Sequence, residues 1–463
     1  MKTFFTKSAL YLALTIPAFF FLGCDDSEEG GSYEFSVEPT VLTFSAKQET
    51  QTLSVRTYGD WSIVLPQDAA WLKVSAMSGR GPAEIEVTAE NYYRTDTSRT
   101  ARLTVTGGNS GDFPVEVVQQ KLQMNDLSAA GKANCYIVPT SGDFVINAAT
   151  QGNSESEQVG EWTSAELLWE DNRELITDLY GDPESKRIFF STAAAGNAVI
   201  AVKDASGKIL WSWHIWATDF DPNAKTLKYT NDNGSTWEFM DRNLGAANAE
   251  SGSFGAFGLL YQWGRKDPFT AATAFAPENP SETIRWNMLN NPLPAMASDA
   301  DSMGTVQLSI EHPTSFYVTR YAHGDWNGQP DPDLWGAVSG QKTVYDPCPA
   351  GWRVPAYDAQ GDSPYAFVTR QTTTGTDNIG RIYTDGNGKD FLFPVAGSSV
   401  NGTGTLDCPG NYGSLWTATG KTTSNEDGTI EYGCLLFFTT GRLVSATYYD
   451  TRSQGVSVRC VKE

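Results

Sequence analysis

Ala83-Glu84-Ile85-Glu86-Val87-Thr88 and Ala101-Arg102-Leu103-Thr104-Val105-Thr106 are the stretches that decide the fold class. In each, apolar and polar residues alternate with a period of two. That spacing puts Ile85 and Val87, or Leu103 and Val105, on one face of a pleated strand and the charged and hydroxyl side chains on the other. Outward from them, Thr52-Leu53-Ser54-Val55-Arg56 alternates in the same way, and Val115-Glu116-Val117-Val118-Gln119-Gln120 ends the run. Ser78-Gly79-Arg80-Gly81-Pro82 and Gly107-Gly108-Asn109-Ser110-Gly111 read as turns between strands. Short alternating strands at this spacing predict an antiparallel sandwich of about seven strands over residues 33–121.

Several pieces of this segment carry a family likeness. They are Trp61-Ser62-Ile63, Trp71-Leu72-Lys73-Val74-Ser75, the Gly-rich turn, Ile85-Glu86-Val87-Thr88-Ala89, residues 91–106 and the terminal Val-Val-Gln-Gln. Together they resemble the BACON domain, a module of Bacteroidota surface proteins for which carbohydrate binding, of mucin in particular, has been proposed. The resemblance implies either a glycan-contacting module or a spacer. Trp61 and Trp71 are then candidates for stacking on sugar rings, although their place among alternating strands favours a core. Tyr92 and Tyr93, at a turn, are candidates for exposed contacts.

The next segment, 126–221, also reads as a β-sandwich. Residues 133–139 and 142–146 are strand-like, and 198–203 with 209–216 predict a hairpin turning on Asp204-Ala205-Ser206-Gly207. Alternation puts Trp211 and Trp213 on one face and Trp216 on the other, which predicts burial against a second sheet or a neighbouring domain; a sugar-stacking platform is the alternative. His214 reads as a hydrogen-bonding residue rather than a ligand.

Residues 225–463 hold Trp237-Glu238-Phe239-Met240-Asp241-Arg242-Asn243-Leu244-Gly245-Ala246 and Gly258-Leu259-Leu260-Tyr261-Gln262-Trp263-Gly264-Arg265. Further on come Asp346-Pro347-Cys348-Pro349-Ala350-Gly351-Trp352-Arg353-Val354-Pro355, Gly413-Ser414-Leu415-Trp416-Thr417 and Ser457-Val458-Arg459-Cys460-Val461. These pieces resemble the Fibrobacter succinogenes major paralogous domain, a C-type-lectin-like family. The expected fold class is therefore mainly β: two β-sandwich (Ig-like) domains followed by an α+β C-type-lectin-like domain. The four cysteines of this segment allow three pairings. The resemblance favours the nested one, Cys348 with Cys460 outside and Cys408 with Cys434 inside; the alternative for the inner pair is free buried thiols. Cys135 is left over as a buried thiol. Gln329-Pro330-Asp331 matches a lectin calcium tripeptide but precedes Cys348, out of order. No cofactor is expected, and calcium on Asp331 and Asp333 is the one ion the sequence leaves room for.

The amino terminus reads as an export signal. Lys2 and Lys7 precede an apolar run from Ser8 to Leu22, shorter than a spanning helix needs. Phe21-Leu22-Gly23-Cys24 resembles a bacterial lipobox. Residues 1–23 are then a signal peptide, Cys24 the lipid attachment site and 24–32 an acidic, Gly-containing tether. Asp25-Asp26-Ser27-Glu28-Glu29 looks like the surface-export signal of Bacteroidota lipoproteins, which implies an outer-membrane protein facing outward.

A net charge of −22 argues against nucleic acid as a partner. No His-Glu-x-x-His, Gly-x-Ser-x-Gly or phosphate-loop motif is present, and the three histidines do not fall at metal-ligand spacing. The expected function is a non-catalytic surface lipoprotein, anchored through its lipid, that binds glycans or adheres to a host or polymer surface. The alternatives are a fimbrial or other assembly subunit with protein partners, and a polysaccharide-degrading enzyme without a recognised site.

Overall fold

The computed structural model describes residues 35–94, 97–272, 304–319, 323–370, 376–377, 380–426, 428–440 and 444–463, and the backbone of 295–298. The signal peptide, Cys24 and the tether lie outside the described residues. The chain divides once, after Lys121, into two compact units. Among the described residues the structure is mainly β, with two short α-helices, Val306–Glu311 and Phe367–Arg370.

In the first unit the alternation becomes two stacked sheets. One orders Ser36–Glu38, Glu49–Arg56, Ala83–Ala89 and Leu72–Val74; the other orders Val41–Phe44, Asp112–Gln119, Arg99–Thr106, Asp60–Val64 and Ser78–Arg80. All neighbours are antiparallel except Val41–Phe44 beside Asp112–Gln119. Leu53, Val55, Ile85, Val87, Leu103, Val105, Val115 and Val117 fill the space between the sheets, as the period of two requires. Among the described residues of this unit, nine strands therefore replace the roughly seven expected. Part of the difference is Ser78-Gly79-Arg80, read as a turn, which pairs with Asp60–Ser62 as an edge strand. Gly79 can do so because the Trp61 ring occupies the place of a side chain: a Cβ there would stand 2.5 Å from the ring.

The second unit begins as another sandwich. One sheet orders Asn125–Asp126, Gly142–Asn147, Arg187–Thr192 and Ile176–Asp182; the facing one orders Cys135–Val138, Ile209–Ala217, Gly196–Lys203 and Ser164–Glu170. The hairpin of the last sheet turns where the sequence places it. Asp204 Oδ1 accepts from the Ser206 and Lys208 amides, and Gly207 takes φ +85°. Trp211 and Trp213 lie between the two sheets, while Trp216 faces the opposite way.

What Trp216 faces is the rest of the unit. A single hydrophobic cluster joins Cys135, Trp169, Val199 and Trp216 to Met240, Leu259, Trp263, Trp352, Trp416 and Cys460. Residues of 126–221 and 225–463 thus contribute to one core within the second compact unit. Polar ties reinforce the join. Asn134 Nδ2 donates to the Val344 and Asp346 carbonyls, and Asn197 Nδ2 donates to the Gly245 carbonyl.

Beyond the join, the longest strands among the described residues, Tyr412–Asn425 and Gly428–Thr439, form a hairpin in a large sheet with Val444–Thr451 at one edge. The carboxyl-terminal strand Val461–Lys462 returns between Thr236–Met240 and Trp352–Arg353. Cys348 and Cys460 are bonded across that return, with their Cα atoms 6.0 Å apart. The expected inner bridge is absent. Cys434 is buried in the hairpin facing Tyr357, and Cys408 sits in a left-handed turn at φ +48°, hydrogen-bonded to Asp407. Each thiol is held by its own neighbours, so the pairing implied by the lectin-like resemblance is not made. Cys135 is a buried thiol, pushed up by desolvation.

Candidate binding site

Four aromatic residues of the first unit were candidates for sugar contact, and the sandwich separates them. Trp61 follows Asp60 in a strand whose odd positions face the core. It is 5 % exposed, and its Nε1 donates to the Gly81 carbonyl. Buried in this way it is a core residue, as its place in an alternating strand favours, and its candidacy for glycan contact is corrected. Trp71, Tyr92 and Tyr93 are half-buried at the surface.

Trp71 and Tyr92 are brought together by a residue the sequence reading passed over. Trp71 leads into the strand Leu72–Val74, and Tyr92 lies just past the end of Ala83–Ala89. Arg99 begins the strand Arg99–Thr106. Its guanidinium lies 4.2 Å from the Trp71 ring centre and 4.4 Å from that of Tyr92. The cation therefore touches both aromatic groups, an attraction worth about 0.5–1 kcal/mol per ring at a partly exposed site.

The guanidinium is itself held in place. Nε donates to Gln119 Oε1 at 2.9 Å and Nη2 to the Glu90 carbonyl at 3.0 Å. Gln119 is wholly buried and passes its own amide hydrogens to the Ser45 and Glu90 carbonyls. Backbone bonds fix the turn that carries Tyr92: its amide donates to the Ala46 carbonyl, and the Glu90 amide to the Trp71 carbonyl. Lys73 pairs with Glu90 beside it, and the hydrogen bond from Lys73 holds that carboxyl below its ordinary range. Burial pulls the Arg99 guanidinium down from its usual value. The result is a half-exposed pair of rings on a rigid polar support. One signal in the sequence pointed to it. Gln119 stands at an inward position of its strand, where Val115 and Val117 precede it, and an inward amide needs partners.

Two clefts of the second unit are walled by described residues. One, of about 670 Å³, is walled by Tyr136, Phe220 and Trp352 and rimmed by Asp126, Asp219 and Asp221. The other, of about 510 Å³, includes Glu157, Asp331 and Asp333. Asp333 Oδ1 there accepts from the Val338 and Ser339 amides, and Asp331 Oδ1 accepts from the Asp333 amide. Among the described residues no group of three or more His, Cys, Asp or Glu side chains stands ready to hold a metal ion.

Two buried polar constellations resemble catalytic groupings. Lys266 Nζ donates to Ser212 Oγ at 2.5 Å and to Asp267 Oδ1 at 2.8 Å, and Ser212 Oγ donates to Asp267 Oδ1 at 2.6 Å. All three residues are at most 4 % exposed. Burial pulls the Lys266 ammonium down and the Asp267 carboxylate opposes it. His214 Nε2 meets Asn197 Oδ1 at 2.9 Å, and Asn197 in turn donates to Asp171. Both groupings lie at the join between residues 126–221 and the later strands, so they tie the unit together.

Comparison with known proteins touches the first unit most directly. Residues 61–120 match the family model BACON, described as "Putative binding domain, N-terminal". No curated protein matches the chain. Among solved structures, a Bacteroides ovatus GH5 xyloglucanase in complex with a XXXG heptasaccharide is 24% identical over 23% of this chain, with a TM-score of 0.18. The match spans 27% of the xyloglucanase chain. A protein from Bacteroides thetaiotaomicron solved by NMR is 19% identical over 22% of this chain and 100% of its own, with a TM-score of 0.16. The BIgI domain of beta protein from S. agalactiae, bound to CEACAM1, is 16% identical over 19% of this chain and 98% of its own, with a TM-score of 0.15.

Proposed function

We propose that this protein is a non-catalytic lipoprotein of the outer membrane, held by a lipid on Cys24 and facing outward, that binds glycans on a host or polymer surface. The observation that carries this reading is the Trp71–Arg99–Tyr92 cluster: half-exposed rings, immobilised in advance, in a segment matching a binding-domain family. A sugar presents flat C–H faces and a rim of hydroxyls. Preset aromatic faces meet the first without losing much side-chain entropy on binding. The lectin-like resemblance of residues 225–463 supports the same class of ligand.

A glycan array tests the proposal. Wild type is expected to bind a defined subset of glycans, and the double substitution Trp71→Ala with Tyr92→Ala to weaken that binding at least tenfold while the far-ultraviolet spectrum is unchanged. A wild-type chain that binds no glycan overturns the reading.

A further inference from the structure

We propose that the outer edge of the large sheet in the second unit is a carbohydrate-binding surface, built from Tyr448 and Tyr449 with Lys421 beside them. The ligand class rests on the glycan-binding reading above; the site itself rests on separate observations.

Among the described residues, Val444–Thr451 lies at one edge of its sheet. Tyr448 and Tyr449 are 44% and 40% exposed. Neighbouring residues of a strand point to opposite faces, yet these two rings lie 6.2 Å apart and within 25° of parallel. They therefore close over the edge of the sheet. The row continues inward. Phe437 stands 5.0 Å from Tyr448, and Tyr412 stands 5.5 Å from Phe437, at interplanar angles of 31° and 36°. Tyr432 braces Tyr449 edge-on at 4.9 Å. Tyr412 is pinned through its hydroxyl, which donates to Asp407 and meets Ser398 Oγ at 2.7 Å. The Lys421 ammonium lies 3.7 Å from the Tyr449 ring centre.

Single exposed aromatic residues are ordinary on a protein surface, whereas a contiguous row marks a contact surface. An edge strand has two natural kinds of occupant. One is an extended peptide that adds to the sheet through main-chain hydrogen bonds. Here the pairing with Gly428–Thr439 shifts register between Leu435 and Phe437. Such a bulge twists the edge away from regular pairing, and the two tyrosines fold over it. The other occupant uses the rings themselves. A pyranose chain offers C–H faces to stack on Tyr448 and Tyr449 and oxygens to meet the Lys421 ammonium and the exposed Thr447 hydroxyl.

Affinity electrophoresis of the full-length protein tests this, through gels holding polygalacturonate in one arm and a neutral mannan in the other. Retardation by at least one polymer is expected. Tyr448→Ala should weaken it at least tenfold and Tyr448→Phe should preserve it. Lys421→Met should weaken it about fivefold in the arm whose oxygens the ammonium meets, which separates a carboxylate from a hydroxyl. The retarding polymer should also protect Tyr448 and Tyr449 of wild type from nitration, a readout that does not depend on any variant folding. Retardation by neither polymer, or retardation with both tyrosines still nitrated, overturns the inference. Binding that survives Tyr448→Ala but is lost in Trp71→Ala with Tyr92→Ala overturns this site and leaves the first reading standing. The opposite pattern overturns the first site and leaves this one.

Discussion

Residues 35–121 bury a core of regularly alternating aliphatic side chains, whereas residues 122–463 bury charges among their aromatic residues. In the first unit Gln119 is the one amide or charged side chain that is fully buried among the described residues. In the second, Arg265, Lys266, Arg452 and Arg459 are buried, each serving as a multiple donor. Arg452 Nη1 meets Asp325 at 3.0 Å and its guanidinium lies 4.2 Å from the Trp263 ring centre. Arg265 donates to the Ser315 and Pro313 carbonyls. Lys342 joins Asp346 to the Cys348 and Trp352 carbonyls. The difference follows from backbone regularity. A sandwich satisfies its own amides and carbonyls in ladders, whereas long irregular connections leave carbonyls inside that only buried donors can satisfy.

The contrast breaks most sharply at the disulfide. Cys348–Cys460 closes a loop of sequence separation 112 in the second unit alone. Replacing both cysteines by serine should lower that unit's stability by about 4–5 kcal/mol by the loop-closure argument. Hydrogen exchange should show protection lost in residues 122–463 and kept in 35–121. Equal loss in both would mean that the units do not differ in this way.

Acid should separate the two next. Desolvation holds the His214 imidazole down at about 3, against 6.5 for the free side chain. As pH falls below about 6.5 the unfolded chain takes up that proton and the native unit does not. Stability present above that pH is therefore lost on the way down, by about 1.4 kcal/mol per pH unit. Wild type relative to His214→Gln should lose about 2 kcal/mol between pH 6.5 and 5 in the second unit, measured by urea unfolding. The first unit has no histidine, since all three lie at 214, 312 and 323, and this difference should be missing there. A pH-independent difference between wild type and variant would refute the assignment.

The smallest expected effect sharpens the first unit's exception. Arg99→Met removes two ring contacts and the donor to buried Gln119. The cost should be about 1–2 kcal/mol, read as a shift in the urea midpoint of residues 35–121. A change below about 0.3 kcal/mol would mean that Arg99 does not support the aromatic pair.

Much of this architecture was legible. Alternation located Ile85, Val87, Leu103 and Val105 in the core, and the opposite faces of Trp211 and Trp216 foretold that the sheet carrying them is covered on both sides. The turn at Gly207 and the bond between Cys348 and Cys460 also agree with the sequence reading. Other features escaped it because they depend on residues far apart in the chain. Nothing near Arg99 in the sequence says that Trp71 and Tyr92 will flank it. Tyr448 and Tyr449 look like any adjacent pair until the sheet edge brings their rings side by side.

Period and composition by themselves determined that this chain is built of strands, because which face of a strand is apolar is a local property of neighbouring residues. Tertiary structure alone decided the rest. It buried Trp61 and left Trp71 at the surface, fused residues 126–221 to 225–463 through one core, and left Cys408 and Cys434 unpaired. Each of these outcomes depends on what packs against a side chain from a distant part of the chain, and periodicity carries no record of that.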